Sequence, residues 1–191
     1  MAKRALKAVE VEADIKLDLG CGTRKQAGFL GVDRRKFDGI DVVHDLLKTP
    51  WPWKDGSIAE IHMSHVMEHF TGLQRVKIVN EMYRVMRVGA KATIITPHWC
   101  SNRAYGDFTH QWPPVSEMWF YYLSKTWRAD NAPDNDIQWN PDGYNCDFEC
   151  TWGYSIHPNF VPKNQEAQQF AMQFYKEAVQ DMTATFIKKA P

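Results

Sequence analysis

Ile15-Lys16-Leu17-Asp18-Leu19-Gly20-Cys21-Gly22 is the stretch that decides the fold. A short apolar run closed by glycines reads as a buried strand entering a sharp turn, because glycine adopts the left-handed backbone conformations such turns use. Moving outward, Phe29-Leu30-Gly31-Val32 ends at Asp33, and Asp41-Val42-Val43-His44 ends at Asp45-Leu46. Three successive strands therefore carry an acid at or near the end where the chain leaves them.

The rest of the chain supplies alternation. Pro50-Trp51-Pro52-Trp53 with Asp55-Gly56 marks a surface turn, and residues 58–63 read as a fourth strand. Leu73, Val76, Val79, Met82, Tyr83 and Met86 recur at helical spacing, predicting a helix over 73–88 capped by Gly89. Residues 91–96 form a fifth strand stopped by Pro97. Strands alternating with helices imply a layered α/β domain with a mainly parallel sheet, whose ligands bind at the strands' C-terminal edge. Beyond Pro97 the spacing predicts a short helix from Ser116 to 123 and a Trp-, Asn-, Asp- and Pro-rich loop over 126–145. It then predicts a sixth strand over 148–156, a helix over 165–179 with Phe170, Phe174 and Ala178 inward, and a last strand over 183–188. We read residues 1–191 as one domain, with 97–146 inserted on the acceptor side.

Composition narrows the function classes. Twenty-three basic against 23 acidic residues leave no net charge to draw the chain to nucleic acid or an anionic membrane. No apolar run approaches the roughly 18–20 residues of a membrane span, and the first residues lack a signal-peptide core. The four cysteines are spaced without a disulfide framework, which fits a reducing cytoplasm.

The segment Leu17-Asp18-Leu19-Gly20-Cys21-Gly22 closely resembles the glycine-rich signature of class I S-adenosylmethionine-dependent methyltransferases. The resemblance spans about residues 15–97 and implies a Rossmann-like sandwich on a seven-stranded sheet, with S-adenosylmethionine as cofactor. It further implies that Asp18 faces the methionine ammonium, that Gly20, Cys21 and Gly22 line the cofactor, and that Asp33 accepts the ribose hydroxyls. Asp45 and Leu46 would meet the adenine, and the backbone near His65 would border the methionine moiety. Only ten residues separate Gly22 from Asp33, too few for the helix that usually follows the first strand, so that helix must be shortened or lost.

Three other readings compete. His65-Val66-Met67-Glu68-His69 spells the H-x-x-E-H of inverted zinc peptidases, in which His65 and His69 would bind metal and Glu68 would act as base. A nicotinamide dehydrogenase shares the first strand and ribose acid, but its third glycine is replaced by Lys25. A catalytically silent nucleotide-binding or scaffold protein would keep the same fold. Cys146, Cys150 and His157 lack a fourth zinc ligand and read as packing, and the sequence predicts no metal.

For the acceptor, the sequence lacks the Asp/Asn-Pro-Pro-Tyr and Pro-Cys segments of DNA base methyltransferases. An oxygen or nitrogen on a small molecule, glycan or biosynthetic intermediate is favoured over nucleic acid. Thr96-Pro97-His98-Trp99 leaves the fifth strand at the catalytic edge, and the segment from Tyr105 to Trp112 follows it with Asp107 and His110. His110 is the expected general base, His98 the alternative, and Asp107 the orienting carboxylate. Among Trp112, Trp119, Trp127 and Trp139, at least one is expected to line the acceptor pocket.

Overall fold

The computed structural model describes residues 14–135, 140 and 142–191. Seven strands form one sheet: β1 (Ile15–Leu19), β2 (Leu30–Asp33), β3 (Val42–Val43), β4 (Ile58–Ser64), β5 (Met86–Pro97), β6 (Phe148–Ile156) and β7 (Val179–Lys188). Their order is β3-β2-β1-β4-β5-β7-β6. The β1–β5 set is parallel, while β7 runs antiparallel to both β5 and β6. This is the expected Rossmann-like α/β sandwich. The chain reverses its direction of growth between β1 and β4, which opens a crevice at their C-terminal ends.

Leu17, Asp18 and Leu19 are all buried, as a central parallel strand covered on both faces requires. Val32, Ile61, Met63 and Ile94 join them in the core, and α1 (Gly72–Val85) lays Ile78, Val79, Met82 and Val85 against the same cluster. Thr71 starts α1 with a capping box, its hydroxyl accepting from Gln74 N–H while the Gln74 side chain accepts from Thr71 N–H. Among the described residues, 20–29 contain no helix, so the helix between the first two strands is lost.

Several expected boundaries move. The helix expected through residue 88 ends at Val85, because Met86 pairs with Ile58 and enters β5 directly. Gly89 (φ +78°) thus serves an irregularity where the β4–β5 register shifts, and Leu73 points to solvent. Among the described residues, 97–146 hold three short helices: α2 (Arg103–Gly106), α3 (Glu117–Tyr121) and α4 (Lys125–Asn131), the last lying almost wholly in what the composition suggested was loop. The final helix, α5 (Gln165–Phe174), stops short of 179. It turns Ala171 inward and leaves Phe170 and Phe174 exposed against each other, ring centroids 4.8 Å apart. The last strand begins four residues earlier than expected, at Val179 rather than 183, because it pairs along β6. Trp139 lies outside the described residues.

Candidate active site

The glycine turn is built for tight packing. Gly20 has φ +68°, and a Cβ there would fall 2.6 Å and 2.8 Å from the two γ-carbons of Val66, so both backbone angle and space demand glycine. Gly20 and Cys21 donate to the Val32 carbonyl, at 2.7 Å and 3.3 Å, which folds the turn back onto the end of β2. Gly22 (φ +52°) then donates its N–H to Asp33 Oδ2 at 3.1 Å. Asp33 Oδ1 accepts from Arg35 N–H at 2.9 Å, so this nearly buried carboxylate caps the turn on one side and its own loop on the other.

Asp18 is held from two directions. Its Oδ2 accepts from Gln26 N–H at 2.6 Å, and its Oδ1 pairs with His62 Nδ1 at 2.9 Å. These contacts pin the far side of the glycine loop to β4, so an ammonium group meeting Asp18 would share oxygens that already have partners. The parallel register of β1 and β4 sets Asp18 opposite His62. Asp41, at the entry to β3, accepts from Gly31 N–H and from Lys25 Nζ, and the lysine holds its pKa below the ordinary carboxylate value. Cys21 Sγ sits beside Gly31, and burial pushes its pKa up.

At the end of β3, Asp45 Oδ1 accepts from Leu47 N–H at 3.0 Å and forms a turn. Leu46 is only 6% exposed and belongs to the core, with its carbonyl accepting from Trp51 Nε1 at 2.9 Å. An apolar contact of Leu46 with a ring would therefore use the small edge left open.

After β4 the chain enters a single 3-10 turn, Met67–His69. His65 lies before it at φ +54°, with its N–H on the Ile95 carbonyl. His65 and His69 are thus not on one face of a helix, and the metal geometry of an inverted zinc peptidase is not formed. His65 Nδ1 instead lies 3.3 Å from Glu68 Oε1, and the Glu68 carboxylate raises the imidazole pKa against the opposing effect of burial. Glu68 is 4% exposed, its Oε2 accepting from Thr96 Oγ1 at 3.3 Å. Buried Arg75 holds this turn to the following loop, donating to the Met67 and Gln111 carbonyls.

That loop brings His110 over His69, with ring centroids 4.7 Å apart and edge to face. Asp107 Oδ1 accepts from both the N–H and the hydroxyl of Thr109, and its Oδ2 lies 3.9 Å from His110 Nε2, too far for a hydrogen bond. His98 is 1% exposed and fully committed: Nδ1 accepts from Cys100 N–H, and Nε2 bonds Glu117 at 2.8 Å. Glu117 gave no signal in the sequence. Burial would raise its pKa, but hydrogen bonds led by that from His98 outweigh this and bring it to about 2. Its carboxylate also accepts from Trp99 Nε1 and Tyr154 OH.

Glu117 lies between two concavities. One, about 500 Å³, is an open aromatic cleft lined by Trp99, Tyr105, Trp112, Met118 and Tyr121. The other, about 360 Å³, is lined by His98, Tyr154, Met172 and Val179. Both volumes lie in the range of small-molecule sites. Trp119 is packed against Phe120 and Phe186, and Trp127 against Tyr121 and Tyr122, so of the described candidate tryptophans only Trp112 faces the cleft. Cys146 is fully buried and Cys150 partly so; burial pushes both thiols up, Cys146 to about 12.

No family model matches the sequence. No curated protein matches it either. Solved structures do match. An S-adenosylmethionine-dependent methyltransferase from Archaeoglobus fulgidus superposes with TM-score 0.62 at 17% identity, over 92% of this chain and 86% of that one. Geranyl diphosphate C-methyltransferase from Streptomyces coelicolor gives TM-score 0.51 at 16% identity, over 92% and 71%. The YcgJ protein of Bacillus subtilis gives 0.50 at 13%, over 95% of both chains. With its strand order and glycine turn, the chain has the fold of the S-adenosylmethionine-dependent methyltransferases.

Proposed function

We propose that the protein transfers a methyl group from S-adenosylmethionine to an oxygen or nitrogen of a small molecule, glycan or biosynthetic intermediate. The observation that carries this reading is the closure of the β1 glycine turn onto Asp33, at the crevice where the sheet reverses its growth. A peptide N–H and a nearly buried carboxylate lie side by side there, a pairing suited to ribose hydroxyls and to the close approach of a ligand to backbone. Asp18, through Gln26 and His62, holds the loop in register for the methionine end.

The sulfonium is an activated donor, so the protein's work is alignment. As the acceptor attacks the methyl carbon, the carbon–sulfur bond breaks onto sulfur and S-adenosylhomocysteine leaves. The acceptor proton must leave too. His110, whose loop runs between cleft residues Tyr105 and Trp112, is better placed to handle it than His98, whose two ring nitrogens are already engaged. The aromatic cleft is our proposed acceptor site, within the 97–146 insertion. Four free cysteines fit a reducing cytoplasm. No helix among the described residues is long and apolar enough to cross a membrane.

Calorimetric titration with S-adenosylhomocysteine tests the reading. One-to-one binding is expected, and no binding by the folded protein would remove it; binding of NAD in its place would redirect it to a dehydrogenase.

A further inference from the structure

At the 3-10 turn Met67–His69, Glu68 and His69 meet His110 from the following loop. One donor atom from each of Glu68, His69 and His110 lies within 4.8 Å of the others. We propose that these three residues hold a divalent first-row transition cation of the Zn²⁺ or Mn²⁺ class, at the edge of the acceptor cleft. Two imidazoles and a carboxylate are a common open set for such ions, leaving coordination positions for water or substrate.

Hydrogen-bond accounting shows both rings ready to ligate. The Thr109 hydroxyl has one proton and donates it to Asp107 Oδ1 at 2.7 Å. Toward His69 Nδ1, 3.0 Å away, it must therefore accept, which places the ring proton on Nδ1 and leaves Nε2 a bare lone pair. His110 Nδ1 meets the Ala104 carbonyl at 3.3 Å, and since a carbonyl only accepts, His110 also presents a bare Nε2. Metal-bound histidines are oriented in this way, by an acceptor on the other ring nitrogen.

The carboxylate supplies an independent observation. Glu68 is 4% exposed, and its Oε1 makes no hydrogen bond among the described residues, having only the ion-pair contact with His65 Nδ1 at 3.3 Å. Buried polar atoms are nearly always satisfied, and a bound cation would complete the partial pairing that His65 gives this oxygen. A tetrahedral set with bonds of about 2.0 Å spaces its donors at roughly 3.3 Å, so a separation of at most 4.8 Å closes by small side-chain rotations. The surroundings are also fixed, since Arg75 ties the carbonyl of Met67, next to Glu68, to that of Gln111, next to His110.

In the methyl-transfer reading, on which this part rests, the cation would hold an acceptor oxygen and favour loss of its proton, selecting hydroxyl-bearing acceptors over amines. His110 would then be a ligand rather than a base. The test is calorimetric titration of the chelator-stripped protein with Zn²⁺ and with Mn²⁺, alongside the electronic absorption of Co²⁺ bound in their place. One site per chain is expected, weakened tenfold or more in His69→Ala and His110→Ala and by about 10- to 100-fold in Thr109→Val, which removes only the orienting hydroxyl. Far-UV circular dichroism identifies folded variants. His110→Ala carries the test if Glu68→Gln, altered in the core, fails to fold. Absence of one-to-one binding by the folded wild-type chain, or unchanged affinity in both histidine variants, overturns the site. Titration of the same samples with S-adenosylhomocysteine separates the two ideas: cofactor binding without metal binding overturns the cation site alone. Metal binding without cofactor binding supports the site and overturns the methyl-transfer reading.

Discussion

Replacing Gly20 by alanine separates two reasons for a glycine. The first is conformational: φ is +68°, and a non-glycine residue there costs about 1–2 kcal/mol. The second is steric, since the new Cβ would lie 2.6 Å and 2.8 Å from the γ-carbons of Val66, and overpacking of this kind costs about 1–3 kcal/mol. Gly20→Ala should therefore lose roughly 2–5 kcal/mol. Gly22 is the internal control, with φ +52° but nothing within 4 Å of its added Cβ. Gly22→Ala should lose only the conformational part, about 1–2 kcal/mol. For a chain of this size each kcal/mol moves Tm by about 2–4 °C, so the two variants should separate clearly in thermal unfolding. Val66→Ala removes the obstructing methyls, and a double-mutant cycle with Gly20→Ala should show a favourable coupling of about 1–3 kcal/mol. Equal losses at Gly20 and Gly22, or no coupling with Val66, would refute the packing argument.

Asp33→Ala removes the acceptor for Gly22 N–H and the proposed ribose contact, so affinity for S-adenosylhomocysteine should fall by about 1–3 kcal/mol, read by calorimetry. Glu117 titrates near 2 in the folded protein against an ordinary 4.5. Its folded pKa is depressed, so its stabilisation is present above pH 4.5 and is lost as pH falls toward 2; Glu117→Gln should flatten the acid limb of Tm against pH in that window, and an unchanged limb would count against the His98–Glu117 pair. Arg75→Leu leaves the Met67 and Gln111 carbonyls without their donor and should cost about 1–3 kcal/mol in urea unfolding. Trp112 is 76% exposed in the cleft, so Trp112→Ala should leave Tm nearly unchanged while raising KM for the acceptor once one is identified.

The sequence by itself determined the sheet and its ligand-facing edge. An apolar run ending in glycines has few backbone solutions, and strands alternating with a periodic helix require a parallel sheet with that edge in common. The tertiary structure decided what each polar residue does there. Asp18, Asp33 and Asp45 look alike along the chain, yet one pins a loop to His62, one caps the glycine turn and one turns its own backbone. The helix ends at Val85 because Met86 finds a strand partner in Ile58, a contact between residues far apart in sequence. His-x-x-Glu-His suggested a metal pair on one helix, but His69 ends a 3-10 turn that His65 precedes, and the fold brings His110, 41 residues on, to His69 instead. Proton placement on these rings depends on Thr109 and Ala104. Hydrogen bonds are made in space, and local sequence carries no record of partners that only folding brings within reach.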